Sequence, residues 1–414
     1  MTKRLAWVAG LALLAGWASA QEVCHWLNVS QRYYRVVGTD GSQIDSILLA
    51  SGAFVVSNAA LGGEIVAEAA LDMARSNWIS QEHLRVNALG TFQMVEATDP
   101  ACIPRTGQVW TYHEGDDGDL HPGHPWPPRF TVSDANTNVV VDNLTGLMWS
   151  RFATPIYGSW DNCLDLMPVL DGMYGYNGWR MPTVREMESL IDLGAYNPAL
   201  PALHPFVNLT GLYWTSTGNI NNTNQAWAIG LVDGGIHSRA RTNDLPYCWP
   251  VRSHAVGKAP VPKTGMKTSL KAGDDGDLQP GQPWPIPRFT IPSDTNLVFD
   301  NLVGRMWTRA AGIGTAIHWG DAVQQCNDFD LGGHADWRLP TRREGWSLID
   351  YGRPSFLPEG HPFTGAPPGP IYWTSSSYQG VDPEDWGWGI SGGAVGPAPK
   401  ATAGGAVWPV RGAW

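Results

Sequence analysis

The feature that most constrains this chain is that its last three quarters are written twice. "TGQVWTYHEGDDGDLHPGHPW", opening at Thr106, returns as "TGMKTSLKAGDDGDLQPGQPW" at Thr264, and the parallel continues nearly to the C-terminus. "DNLTGLMW" (142–149) matches "DNLVGRMW" (300–307), "GWRMPTVRE" (178–186) matches "DWRLPTRRE" (336–344), and "YWTS" and "WPVR" each occur in both copies. Self-similarity at one long period means one structural unit built twice. The copies are 105–253 and 264–414, with the proline-containing "HAVGKAPVPK" (254–263) as linker.

Each copy offers the same elements. Trp160, Cys163, Leu164 and Met167 stand at helical spacing, as do Trp319, Ala322, Val323 and Cys326. A second helix is predicted to open at Thr183 with Glu186 three residues on, and at Thr341 with Glu344, the spacing of a capping box. Short aromatic runs split by Gly, Asn and Pro follow and read as antiparallel strands with long loops. The twice-written "GDDGDL" fails the calcium-loop pattern, because the fifth and twelfth positions from Asp117 are His121 and Pro128. Asp and Gly so arranged serve a turn at the domain entrance.

The ends of the chain add context. Lys3 and Arg4, an apolar run from Leu5 to Trp17 and then Ala18-Ser19-Ala20 form an export signal over 1–20. Residues 21–104 hold short β-rich runs broken by Gly, resembling a small solenoid-like stack, with a helix over 64–75 as the competing reading. Export permits disulfides, and Cys24 and Cys102 bracket this segment as a candidate pair. The net charge of −11 is spread over all segments, so nucleic acid and anionic membranes are not expected partners, and no later run is long enough to span a bilayer.

The series D-N-L-T-G-L-M-W, W-R-M-P-T-x-R-E, Y-W-T-S-T and W-P-V-R resembles the family named after the C-terminal domain of the Legionella collagen-like protein (Lcl). That resemblance implies an α+β fold: two tandem domains of the C-type-lectin-like kind, similar to formylglycine-generating enzymes, after a small β-rich N-terminal domain. It implies a disulfide from the first helix to the last strand, Cys163 to Cys248, and leaves Cys326 as a buried thiol. It also implies adhesins associated with sulfated glycosaminoglycans, and domains that form homo-oligomers.

No catalytic constellation accompanies the scaffold. The G-x-S-x-G at 389–393 has no His after Ser391, and its counterpart in the first copy is Val232. No reactive C-terminal cysteines, metal motif or cofactor motif occur, so the chain is expected not to be an enzyme and to need no metal or cofactor. Seven tryptophan positions recur in both copies and read as core. The copy-specific positions are the binding candidates: His237, Arg239 and Arg241 as a local anion site, Lys400 in the matching region, and Trp346, whose counterpart Glu188 is expected to face solvent. The leading expectation is a secreted or periplasmic, non-catalytic binding protein or adhesin for a glycan or surface protein. A structural role in envelope or extracellular assembly is the alternative, and an enzyme of the formylglycine-generating kind stands third.

Overall fold

In the computed structural model, the description covers the backbone of seven strands between 23 and 96, and residues 103–412 apart from 127, 134–135, 154–155, 243–245, 366–370, 381 and 402–403. The chain divides into Met1–Asp99 and Pro100–Gly412.

In the first unit β1 (Val23–Asn28), β2 (Tyr33–Gly38), β3 (Gln43–Ala50), β4 (Ala53–Asn58), β5 (Gly63–Glu68), β6 (Glu82–Val86) and β7 (Phe92–Glu96) form one sheet in the order β5-β4-β3-β2-β1-β6-β7. Every neighbouring pair is antiparallel. Hairpins, not the parallel coils of a solenoid, therefore account for the Gly-broken runs. β5 takes the start of the region where helix competed; its six-residue register with β4 supplies the ladder that local propensity does not. The Cys24–Cys102 pairing lies outside the described residues.

The second unit contains both repeats. The first runs α1 (Asp117–Leu120), β8 (Phe130–Ser133), β9 (Asn136–Asp142), β10 (Leu147–Ser150), β11 (Ile156–Tyr157), α2 (Trp160–Leu166), α3 (Val184–Ser189), β12 (Leu212–Gly218), β13 (Gln225–Gly230), β14 (Ile236–Ala240), β15 (Tyr247–Cys248) and β16 (Val251–Ser253). The second repeats this as α4 (Asp275–Leu278), β17 (Phe289–Thr290), β18 (Leu297–Asp300), β19 (Arg305–Thr308), β20 (Gly314–Ile317), α5 (Trp319–Asn327), α6 (Arg342–Ser347), β21 (Ile371–Ser377), β22 (Trp386–Ser391), β23 (Ala394–Pro399), β24 (Gly405–Val407) and β25 (Val410–Arg411). The mixture is mostly sheet with a few short helices. Both predicted capping boxes form: Thr183 accepts from the Glu186 amide while the Glu186 carboxylate accepts from Thr183 N–H, and Thr341 and Glu344 do the same.

The repeats are fused rather than strung on a linker. Their sheets, with strand orders β11-β15-β12-β13-β14 and β20-β24-β21-β22-β23, meet edge to edge through β14 and β23 at Ile236↔Val395 and become one ten-stranded sheet. Neither of those two edges is left unpaired. One hydrophobic cluster crosses the junction, joining Val184, Met187, Ile191, Trp227 and Ile229 to Trp346, Tyr351, Trp388 and Ile390.

The segment carrying each "GDDGDL" crosses to the opposite repeat. Near its start it stays at home, with Leu193 N–H donating to Thr106 and Tyr351 N–H to Thr264. Further on, Asp117 accepts from the hydroxyl of Ser376 in the second repeat, and Asp275 accepts from Thr217 in the first at 2.7 Å. Leu270 packs into the first repeat's cluster of Trp160, Cys163 and Trp214, where a side chain at Gly218 would come within 2.4 Å of its Cδ1. Each arm thus closes the core of its neighbour. The motif is a capped turn, as its composition implies: Asp116 and Asp274 accept from the amides of Asp119 and Asp277.

Candidate functional site

Two places concentrate unusual chemistry, and the first is the seam between the repeats. Arg185 on α3 donates to the carbonyls of Ser347 (3.0 Å), the last residue of α6, and Ile349 (2.6 Å) just past it. Its counterpart Arg343 on α6 donates to the carbonyls of Ser189 (3.4 Å), the last residue of α3, and Ile191 just past it. This reciprocity is that of a two-fold dimer interface, here within one chain. Helix ends leave carbonyls unsatisfied, and guanidinium groups suit their partial negative charge. Burial pulls Arg185 down to about 10, which leaves it charged at neutral pH.

Trp346 lies on this seam, which corrects the expected exposure. It is 4% exposed, donates to the Tyr351 hydroxyl at 2.7 Å and faces the Arg185 guanidinium at 5.2 Å. The expectation assumed that Glu188 faces solvent. Glu188 is equally buried, with Arg343 of the other repeat 3.5 Å away, so its charge is tolerated by pairing rather than by water.

Lys400 is corrected as well. It follows β23 and is buried, its ammonium 3.8 Å from the Trp319 ring centre and 4.7 Å from Tyr112, donating to Ser377 (2.7 Å) and the Pro383 carbonyl (2.8 Å). Desolvation pushes its pKa down to about 8. It is a clamp for the arm that crosses from the first repeat.

Glu186 and Glu344 each hold an arginine that enters from the strand-like segment before the capping box. Arg180 grips Glu186 through two bonds of 2.7 and 2.6 Å, and Arg338 grips Glu344 through 2.6 and 2.5 Å, with Arg305 adding a third at 2.7 Å. Desolvation opposes ionisation of Glu344, but Arg338 and Arg305 outweigh it and hold its carboxyl at about 2.

The second place is an open cleft of about 400 Å³ on the first repeat, lined by Tyr157, Thr210, Gly211, Leu212, Arg239, Pro246 and Tyr247. Strand alternation puts His237 and Arg239 on one face of β14, with Arg241 just past its end, but the three do not form one anion site. Arg241 is taken by Asp161 and stacks over Trp160 at 4.4 Å. Desolvation lowers the pKa of His237, so it is neutral at pH 7. Arg239, exposed, is the one of the three that reaches the cleft.

The tyrosines opposite Arg239 come from strands far apart in sequence. β11 and β15 pair antiparallel, placing Tyr157 directly across from Tyr247 with ring centres 5.0 Å apart. β15 is tied down by the Cys163–Cys248 disulfide, which fastens the residue after Tyr247 to α2. Sequence reasoning missed both tyrosines, although each is copy-specific: the matching positions are Ala316 and Ala406. Cys326 is free and buried, and burial pushes its thiol far above the usual range. Among the described residues no group of His, Cys, Asp and Glu is placed to hold a metal ion.

The reiterated "DNL(T/V)G" motif has a structural reading of its own. Asp142 accepts from Leu144 N–H (3.0 Å), the Thr145 hydroxyl (3.0 Å) and Arg129, and Asp300 accepts from Leu302 N–H (2.9 Å) and Arg288. A family model, described as the Lcl C-terminal domain, matches at these motifs twice, over residues 138–252 and 296–411. The chain belongs to the Lcl C-terminal domain family. No curated protein matches it. Tandem Lcl domains and a disulfide put it among secreted or surface-associated proteins. No helix among the described residues is long and apolar enough to cross a membrane.

Proposed function

We propose that this protein is an exported, non-catalytic binding protein whose tandem Lcl domains form a lectin-like scaffold for a carbohydrate, and that the cleft of the first repeat is its contact site. The observation that carries the reading is the facing pair Tyr157 and Tyr247 beside the exposed Arg239. Aromatic faces and an arginine fork are what a saccharide with apolar ring faces and polar edges requires. The buried state of Cys326 and the structural employment of Glu186, Glu344 and Lys400 support a binding role over catalysis. The acidic balance supports a partner other than nucleic acid or an anionic bilayer.

A glycan-array screen of the purified protein beside a Tyr157→Ala/Tyr247→Ala variant tests this. Glycans retained by the protein and lost by the variant are the expected outcome. If no glycan is retained, the carbohydrate reading fails.

A further inference from the structure

We infer that the chain is monovalent, and that the cleft of its first repeat takes a saccharide bearing a carboxylate, of the uronic acid type; the inference rests on the binding reading above. The first part follows from comparing the repeats position by position. Tyr157, Arg239 and Tyr247 become Ala316, Ala398 and Ala406 in the second repeat, and Pro246 becomes Gly405. Cys163 and Cys248, which brace the tyrosine strand, become Ala322 and Val407. The side chains that give the cleft its chemistry and its brace are therefore replaced together in the second repeat, whose strand order is the same.

What the second repeat supplies instead is support. Its arm brings Leu270 into the cluster of Trp160, Cys163 and Trp214 that lies against Leu212, a residue of the cleft wall. Lys271 reaches Asp165 on α2 at 2.8 Å, and Asp275 accepts from Thr217 on β12. β12, carrying Leu212, is thus held from behind by the neighbour's arm. One repeat presents the ligand site and the other completes its scaffold.

The second part follows from the charge in the cleft. Among the described residues Arg239 is its only cationic lining residue; Arg241 is engaged by Asp161 and Trp160, and Lys400 is buried in the other repeat. A guanidinium fork matches the two oxygens of one carboxylate. A densely sulfated chain calls for a row of cations, which a cleft with one arginine does not provide. The volume of about 400 Å³ lies near the lower end of the range for ligand pockets, which suits a short saccharide with its ring against the tyrosines.

The test titrates the protein with an oligo-glucuronic acid, its carboxyl-reduced counterpart and a sulfated neutral oligosaccharide of similar length, by calorimetry. Expected are one equivalent of the glucuronide per chain, binding about tenfold or more weaker after carboxyl reduction, and the same loss in Arg239→Ala with partial recovery in Arg239→Lys. Arg239 is exposed, so near-ultraviolet circular dichroism of both variants should match the parent. Two equivalents per chain, indifference to Arg239→Ala, or equal affinity for the sulfated compound overturns the inference. If the array retains glycans whose binding ignores Arg239, the binding reading stands and this one falls; if nothing binds in either experiment, both fall.

Discussion

Asp117→Asn should remove a large part of the pH dependence of this protein's stability. Asp117 is fully buried, and its carboxylate accepts from the hydroxyls of Thr106 (2.7 Å) and Ser376. Desolvation outweighs those two bonds and raises its pKa from 3.8 to about 7. The folded protein therefore keeps a proton that the unfolded chain releases near pH 4. This contribution is fully present below pH 3.8, falls as pH rises, and is lost once pH passes about 7. At about 1.36 kcal/mol per pKa unit, the interval amounts to about 4 kcal/mol.

Asparagine keeps the shape and an accepting oxygen without a titrating proton. Guanidinium unfolding followed by tryptophan fluorescence should then give a variant close to the parent at pH 4 and more stable by up to about 4 kcal/mol at pH 8. Asp275, raised to about 6 by the same cause, should add about 3 kcal/mol between pH 4 and 6 in the double variant with Asp275→Asn. A stability difference between Asp117→Asn and parent that stays constant from pH 4 to 8 would refute the reasoning.

Glu344→Gln should act in the opposite pH range. Its carboxyl is held at about 2 by Arg338 and Arg305, so its contribution is present above pH 4.5 and lost as pH falls towards 2; the variant should lose about 3–5 kcal/mol at pH 7 and show a flatter acid limb in the same unfolding assay. Trp346→Ala, which would be nearly silent on an exposed surface, should cost about 3–5 kcal/mol as a cavity at the seam, read as a drop in the denaturation midpoint. Cys163→Ala/Cys248→Ala, or reduction of the parent, should lower stability by about 2–5 kcal/mol, whereas Cys326→Ala should leave the response to reductant unchanged.

The parts legible in the sequence were those whose physics is local. The Thr183/Glu186 and Thr341/Glu344 spacings specify helix starts because cap and helix lie within one turn. The helical placement of Trp160 and Cys163, and of Trp319 and Cys326, depends only on the period of the α-helix. Arg239 on β14 and Arg241 just past it were visible as cations, but their division of labour was not. Arg241 is spent on a residue of α2, and only folding brings Tyr157 and Tyr247 opposite Arg239 from segments separated by the whole of the repeat's core. Trp346 misled because a charged counterpart normally marks a solvated face; here Glu188 is neutralised by a residue of the other repeat, a partner no local window contains.

By itself, the sequence determined that one unit was built twice, where its helices begin, that 21–104 differs from the rest, and to which family the repeats belong. Only the tertiary structure decided that the two copies share a sheet and a core, that their arms cross, and that Tyr157, Tyr247 and Arg239 of the first copy line one cleft. Duplication specifies each copy's local elements, because these depend on neighbouring residues. How two copies bury their edges depends on contacts between residues more than a hundred positions apart, such as Ile236 with Val395 and Asp117 with Ser376, for which a repeated sequence carries no separate signal.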